Sequence, residues 1–238
     1  GSRLVSPVLD SGPEYAAAVN VADDRERVYG GRALSARRAE RRQRFLAAGL
    51  LVIGEKGYAA TSVADICAAA GLARSQFYDE FPNREKLLLD VYDVVQDDAR
   101  DAVVAALAGV RTGDRRALVV AAITALIDSL GSDPRRARVS YLEMLGVSDA
   151  VERHRSRRRT EWAAFIEATL RSELGGDVVP PGGHEFAATA FIGALTELIS
   201  TWSRMPDPRP PVDRIVDTMV AVLGAFVPDL DAPHRMAD

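Results

Sequence analysis

Residues 61–81 of the chain read TSVADICAAAGLARSQFYDEF, and this stretch predicts two short helices joined at one glycine. Ser62, with Asp65 three residues later, is a variant of the capping box that starts a helix. Gly71 is suited to the left-handed conformation that commonly ends a helix. A second short helix is predicted from Leu72 to Phe81. Two helices joined by a tight glycine turn are typical of a helix-turn-helix motif, whose second helix can enter the major groove of DNA.

Patterns on either side of this motif predict the neighbouring helices. Before it, apolar residues with helical spacing form one stripe that ends at Gly57; they are Phe45, Ala48, Gly49, Val52 and Ile53. After it, Pro82 interrupts the second helix and Asn83 can cap a longer one. The helical pattern begins at about Ser35. Residues 1–34 show no sustained periodicity and are therefore predicted to form a flexible arm.

The rest of the chain carries further signals for helices. Asp114 and Asp133 are suited to helix N-caps, the latter because a proline follows it. Another long helix is predicted over residues 148–174. Proline-rich stretches separate the last two, at roughly 184–204 and 211–227. No stretch has the alternation and turn residues of a hairpin. The sequence therefore predicts an all-α fold of about nine helices.

Charge is distributed unevenly along the chain. The formal net charge of the whole chain is -4, whereas residues 36–86 contain nine basic and six acidic side chains and so carry a charge of +3. A surface that binds phosphate groups is therefore to be expected in the N-terminal third. Charge alone is weak support for this, because an arginine-rich helix is as often a solvated face.

Several classes of protein are disfavoured by the composition. The single cysteine, Cys67, excludes an internal disulfide framework, and we expect it to be a small core residue. No apolar run approaches the roughly 20 residues that span a membrane, so a cytoplasmic location without membrane contact is expected. No catalytic constellation occurs in a motif setting, and none of the three histidines has a partner with metal-ligand spacing. We therefore predict that the chain is not an enzyme and holds neither a metal nor a cofactor.

The segment from Phe45 to Leu88 resembles the DNA-binding domain of the TetR family of regulators. The matching residues stand in register without a gap: Ala48-Gly49, Gly57-Tyr58, Thr61-Ser62-Val63, Ile66, Ala70-Gly71-Leu72, Phe77-Tyr78, Phe81, Asn83-Arg84-Glu85 and Leu87-Leu88. Two departures stand beside them. Ala73 replaces the serine or threonine common at that position, and Asp79-Glu80 would place acidic groups beside DNA.

The resemblance implies that the helix ending at Phe81 is the recognition helix and assigns roles to eight residues. Base contacts are implied for the residues on its outward face, where glutamine is suited to adenine; they are Arg74, Ser75 and Gln76. A phosphate contact is implied for Tyr78, which could instead close the core of the small domain. Residues at the starts of neighbouring helices would hold the DNA backbone; they are Thr61, Ser62, Arg84 and Lys86.

Similar regulators pair through their last two helices, and the corresponding helices here carry small and apolar residues. The predicted dimer interface consists of Phe186, Ala190, Phe191, Gly193, Ala194, Met219, Leu223 and Phe226. A dimer would also fit an operator with two half-sites one helical turn apart.

Large side chains on the intervening helices are candidates for a pocket that binds a small apolar effector. They are Tyr92, Tyr141, Met144, Trp162 and Phe165. Ordinary core packing explains the same residues equally well. The tract from Arg153 to Arg159 is interpreted as a solvated helix face rather than a second nucleic-acid patch, because Glu152 and Glu161 flank it.

These interpretations divide the chain into three parts: a flexible arm (1–34), a helix-turn-helix DNA-binding domain (35–86) and a helical effector-binding and dimerisation domain (87–238). The resemblance implies a homodimeric repressor that a small molecule releases from a double-stranded DNA operator. An activator would have the same sequence features. A helical protein-interaction module without DNA binding is the other alternative, which Asp79, Glu80 and the acidic total charge leave open.

Overall fold

The computed structural model describes residues 13–111, 114–131, 133–174, 179–206 and 208–226, and every regular element in these ranges is helical. The elements are α1 (Pro13–Lys56), α2 (Val63–Ala70), α3 (Arg74–Glu80), α4 (Arg84–Ala108), α5 (Arg115–Gly131), α6 (Pro134–Arg138), a π-helical turn (Val139–Glu143), α7 (Asp149–Leu174), α8 (Gly183–Ser203) and α9 (Asp213–Phe226). The predicted all-α fold of about nine helices is confirmed.

The predicted capping residues start and end the helices. The hydroxyl of Ser62 accepts from the backbone N–H of Asp65 at 3.1 Å, and the Asp65 carboxylate accepts from the N–H of Ser62 at 2.9 Å, which completes the capping box. Asn83 and Asp133 cap α4 and α6: the side chain of each accepts a hydrogen bond from one backbone N–H of the helix. Gly71 ends α2 with φ of 62°, in the left-handed region that glycine enters at no steric cost.

The structure differs from the prediction at the start of α1. This helix begins at Pro13, so residues 13–34, predicted to be a flexible arm, are helical, while residues 1–12 lie outside the described residues. The stretch from 14 to 81 contains no proline and is rich in alanine and arginine, which are strong helix formers. Hydrophobic periodicity detects only amphipathic helices. The prediction from periodicity therefore began α1 too late, at about Ser35.

The chain divides into two units, residues 1–44 and 45–238. In the first unit, the described side chains of residues 35–44 are exposed or half-buried. Five of these residues are arginines of the stretch 36–86, which carries a net positive charge: Arg37, Arg38, Arg41, Arg42 and Arg44.

The second unit contains two hydrophobic cores. The first, which we call the motif core, joins α1, α2, α3 and the beginning of α4; its fully buried members include Phe45, Ile53, Ile66, Phe77, Phe81, Leu87 and Leu88. The second, the bundle core, joins the rest of α4 to α5, α7, α8 and α9 through Val95, Ala99, Ile127, Leu195, Ile199 and Met219 among others. The predicted boundary at residue 86 therefore falls inside α4, a continuous helix that contributes to both cores.

Two further expectations concern Cys67 and membrane contact. Cys67 is buried in the motif core, as predicted, and burial raises the pKa of its thiol. In the described ranges no single helix is both long and apolar enough to cross a membrane; one pair, α5 with residues 134–143, meets that test only when its two parts, bent by 98°, are joined.

Candidate nucleic-acid interface and effector cavity

The recognition helix predicted from the sequence is α3, and its two faces are clearly different. Phe77 is fully buried, with its ring centroid 5.5 Å from those of Phe45 and Phe81. The opposite face is exposed and consists of Arg74, Ser75, Tyr78 and Asp79. The motif core therefore fixes α3 so that these side chains remain accessible.

Arg74 and Tyr78 form a pair one helical turn apart on this face. The Arg74 guanidinium donates to the Tyr78 hydroxyl at 3.3 Å and lies 5.7 Å from the ring centroid, and this bond raises the pKa of Arg74. Tyr78 retains 46% of its exposure. It does not close the core, which was the alternative, and the pair presents a cation and a hydroxyl to a ligand together.

Gln76 has a local role that the sequence did not reveal. Its side-chain oxygen accepts from the backbone N–H of Ala73 at 2.9 Å. Ala73 precedes α3 and has no side chain that could cap the helix, so Gln76 supplies half of a capping box. While this bond is kept, only the amide N–H groups of Gln76 are available to DNA, and the predicted bidentate contact with adenine would require breaking it.

Two of the residues predicted to hold the DNA backbone have roles inside the protein instead. The Thr61 side chain is 1% exposed and its hydroxyl donates to the carbonyl of Gly57 at 2.7 Å. Arg84 is half-buried, lies 4.2 Å from the Tyr58 ring centroid and donates to the carbonyl of Thr61. Polar residues at a helix start are expected both for a contact with DNA and for a hydrogen bond that fixes the preceding turn. The burial of these two side chains favours the second role here.

The other two remain on the surface. Ser62 is exposed, and its hydroxyl donates to the Asp65 carboxylate at 2.6 Å. Lys86 is exposed and pairs with Asp90 one turn later in α4. Asp65 also pairs with Lys56 at 3.0 Å; the bonds from Ser62, followed by that from Lys56, hold its pKa far below the usual range.

A polar cluster connects the π-helical turn to the end of α1, and nothing in the sequence pattern indicated it. The Glu143 carboxylate accepts from the backbone N–H of Tyr58 at 2.6 Å and from Nε of Arg138 at 2.7 Å. Arg138 also donates to the backbone carbonyl of Glu55 at 3.0 Å. We call this cluster the α1 clamp. The two segments that it joins are more than 80 residues apart in sequence, beyond the reach of any local signal.

The end of α1 also lies close to α6, the helix that precedes the π-helical turn, at Gly54. A Cβ atom at this position would lie 2.3 Å from Cβ and 2.9 Å from Cα of Arg135 in α6. Only glycine lets α1 and α6 lie this close, since both atoms belong to the rigid base of the arginine.

An apolar cavity of about 90 Å³ lies between α4, α5, α7, α8 and α9. Its walls include Val103, Leu118, Trp162, Phe165, Phe191 and Leu223. Of the five residues predicted to line an effector pocket, Trp162 and Phe165 are found here.

A second cavity of about 150 Å³ has polar as well as apolar walls. It contains the predicted Tyr92, Tyr141 and Trp162, and three arginines that the prediction omitted: Arg155, Arg159 and Arg204. Burial raises the pKa of Tyr92 to about 12 and that of Tyr141 further. This cavity therefore carries charged groups, unlike the pocket expected for a small apolar effector.

Met144 lines neither of these cavities. It is 1% exposed and belongs to the motif core, together with Val139 and Val151. The prediction for this residue is therefore corrected: its position after the π-helical turn directs it into the core of the helix-turn-helix.

A chain of buried hydrogen bonds connects the cavities to the π-helical turn. The Trp162 indole donates to the Gln96 side-chain oxygen at 2.9 Å, and the Gln96 amide donates to the hydroxyl of Ser140 at 3.3 Å. Trp162 lines both cavities. A molecule in either cavity would thus contact a residue that is hydrogen-bonded toward the α1 clamp.

The arginine tract in α7 has a mixed role. Arg155 pairs with Glu152 at 2.7 Å, and Arg158 pairs with Glu161 at 3.0 Å and also with Asp97 of α4. These pairs with flanking acids agree with the predicted solvated face. Arg155 and Arg159 in addition reach the second cavity, which a pattern of charges along one helix cannot reveal.

The residues predicted for the dimer interface fall into two groups. Phe191, Met219 and Leu223 are buried in the bundle core and are corrected to core residues, because their face of α8 and α9 is the one that packs inward. Phe186, with 72% of its side chain exposed, and Ala190 lie on the outward face, while Gly193 and Ala194 are half-buried. Phe226 is the last residue of α9. Which face of each helix turns inward is the information that the sequence lacked.

Comparison with known proteins agrees with this geometry. Residues 45–91 match the model of the bacterial regulatory proteins of the tetR family. The chain is 24% identical over 185 residues to the HTH-type transcriptional regulator EthR of Mycobacterium tuberculosis, a match that covers 77% of this chain and 85% of EthR.

Two solved structures have a similar fold. One is the transcriptional regulator FadR from Bacillus subtilis in complex with stearoyl-CoA, with a TM-score of 0.67 and 18% identity over 78% of this chain and 98% of FadR. The other is AibR in complex with isovaleryl coenzyme A and operator DNA, with a TM-score of 0.57 and 20% identity over 82% of this chain and all of AibR.

The family model spans α2 and α3 and the parts of α1 and α4 that build the motif core, and the EthR match extends into the helices of the bundle core. The matched relatives are regulators of transcription rather than enzymes. In its helix-turn-helix and in its helical fold, the chain therefore resembles the TetR family of transcriptional regulators.

Proposed function

We propose that this regulator is a homodimeric repressor that binds its operator through α3 in the cytoplasm and is released by a small-molecule effector. The observation that carries the proposal is the exposed face of α3, held outward by the buried Phe77. Arg74 and Ser75 would contact base edges, and Tyr78 would donate its hydroxyl to a phosphate. Ser62 and Lys86 would hold the backbone at the two neighbouring helix starts. Thr61 and Arg84 position the turn and need not touch DNA.

The proposed dimer uses the outward faces of α8 and α9. Phe186 is an exposed aromatic residue, and Ala190 follows it by one helical turn. A Cβ atom at Gly193 or Gly224 would meet nothing within 4 Å, so both glycines leave room for a close approach of a second chain. Two copies related by two-fold symmetry would bring four helices together.

The effector would bind in the cavities of the bundle core. Their walls include four of the five residues selected from the sequence, and the buried chain from Trp162 through Gln96 to Ser140 leads toward the α1 clamp. FadR and AibR were solved with bound CoA thioesters, which supports a small-molecule effector for this chain as well.

Operator binding is tested with duplexes selected from a random library, at a series of salt concentrations. We expect affinity to fall steeply as salt rises, because phosphate contacts release counterions. Replacing Arg74 with alanine should cost about 1–3 kcal/mol of binding free energy. The control is Arg153→Ala, which removes the same charge from an exposed position on α7. A flat response to salt would instead favour the protein-interaction module, and increased affinity with effector would favour an activator.

Dimerisation is tested by light scattering on the full chain. We expect Ala190→Glu to convert a dimer into monomers, because it places a buried charge in the proposed interface. Ala168→Glu introduces the same side chain at an exposed position of α7 and should leave the dimer intact. A variant at Ala190 that remains dimeric would show that the interface lies elsewhere.

A further inference from the structure

We propose that the effector is an elongated amphiphile whose apolar chain occupies the apolar cavity and whose anionic head group binds at the arginines of the second cavity. This inference rests on the proposed effector site and specifies the chemical class of its ligand.

The two cavities adjoin each other and, joined end to end, would form one path along the helices. They share four wall residues, Leu126, Trp162, Ile192 and Leu195. On α5 the walls of the first cavity begin at Arg115, and those of the second end at Leu130. Fifteen residues of helix correspond to roughly 22 Å, so the path suits a long, narrow molecule.

The chemistry of the walls changes along this path. The apolar cavity has two polar side chains in its walls, Arg115 and Thr169, and the Thr169 hydroxyl already donates to the carbonyl of Phe165 at 2.9 Å. An unbranched hydrocarbon chain would therefore meet mostly aliphatic and aromatic groups over its length and gain from the area that it removes from water.

The second cavity offers what an anion requires. Arg155, Arg159 and Arg204 stand in its walls with one acid, Glu197, so the charged wall groups sum to a positive value. Hydroxyl groups of Tyr141, Thr196 and Ser200 lie in the same walls. Arg204 is only loosely paired with Glu197, at 3.5 Å. Guanidinium groups and hydroxyls together are the donors that bind carboxylate or phosphate oxygens.

Arg115 is the competing position for the head group. It lies at the opposite end of the path, and its Nε is buried without a hydrogen-bond partner among the described residues. A single guanidinium beside aliphatic walls could pair with a carboxylate. We place the head at the second cavity because three arginines and several hydroxyls converge there, and the test is designed to distinguish the two ends.

Binding is measured by calorimetry on the full chain without DNA, using palmitate, palmitoyl-CoA and the neutral hexadecanol. We expect both anionic ligands, or one of them, to bind about tenfold more tightly than hexadecanol. The two anionic arms separate a carboxylate head from a phosphate-bearing one. Equal binding of hexadecanol would overturn the proposal.

Variants assign the two ends of the ligand. Arg159 is exposed at the edge of the second cavity, so Arg159→Ala should weaken the anionic ligand by about tenfold and leave hexadecanol unchanged. Ala122→Phe should shorten the longest chain accepted, because Ala122 lines the apolar cavity. If Arg115→Ala abolishes binding and Arg159→Ala does not, the orientation is reversed and the proposal is wrong. Thermal unfolding verifies that each variant is folded.

The proposal can fail separately from the repressor function. Ligand binding that obeys these expectations but leaves operator affinity unchanged would contradict effector release and retain the ligand class. Release of the operator by a cationic or short polar molecule, with no binding of the amphiphiles, would contradict the ligand class and retain effector release.

Discussion

Replacing Phe77 with alanine is expected to destabilise the protein by about 3–5 kcal/mol and to abolish operator binding. Phe77 is fully buried, and its ring packs on Phe45, Tyr78 and Phe81 at centroid distances of 5.5, 5.4 and 5.5 Å. The substitution leaves a cavity and removes the anchor of α3. A loss of this size is a large fraction of the roughly 5–15 kcal/mol that stabilises a typical domain.

Two substitutions control for this result. Phe77→Leu keeps most of the buried volume and should cost far less stability. Tyr78→Phe removes only a hydroxyl from an exposed residue and should weaken operator binding with little change in stability. Urea unfolding and duplex binding are measured on all three variants. Loss of operator affinity in the Phe77→Ala variant without loss of stability would contradict the assignment of Phe77 as an anchor.

The helix-turn-helix was predictable because its signals are local. Ser62 with Asp65, Gly71 and Asn83 act through hydrogen bonds or backbone angles within four residues, and each does in the structure what its residue type predicts. The buried face of α1 followed in the same way from the helical spacing of its apolar residues, such as Phe45, Val52 and Ile53. These features require no knowledge of which distant segments meet.

Roles that depend on distant partners were not predictable. Thr61 and Arg84 have residue types suited to DNA contacts, but the burial of Thr61 and the bond from Arg84 to the Thr61 carbonyl, 23 residues earlier, depend on tertiary packing. Met144 was placed in a pocket because large apolar residues line pockets and cores alike. Arg155 and Arg159 were recognised as charges on one helix, whereas only the packing of α7 brings them to a cavity.

Glu143→Ala is expected to let the effector bind while removing its influence on operator affinity. Glu143 is the last residue of the π-helical turn, and its carboxylate accepts from the Tyr58 N–H, at the end of α1, and from Arg138. Three positions earlier, Ser140 accepts from Gln96, which accepts from Trp162 between the two cavities. A shift of Trp162 upon ligand binding could therefore reach the segment that precedes α2 through two sets of hydrogen bonds, which the backbone of the π-helical turn joins.

The measurement is the ratio of operator affinities without and with saturating effector. Coupling between sites typically changes affinity about 5- to 150-fold, and the Glu143→Ala variant should bring this ratio close to one. Stability should fall by about 1–3 kcal/mol, because the half-buried Tyr58 N–H loses its acceptor.

Controls separate the loss of the clamp from the loss of a negative charge. Glu167→Ala removes a carboxylate that is paired with Arg171 on the surface of α7, and it should leave the affinity ratio unchanged. Glu143→Gln retains one acceptor oxygen for the Tyr58 N–H and should preserve part of the coupling. If the Glu143→Ala variant keeps the full ratio, the signal does not pass through the α1 clamp, and the close approach of α6 to Gly54 is the remaining contact through which residues 134–143 can move the end of α1.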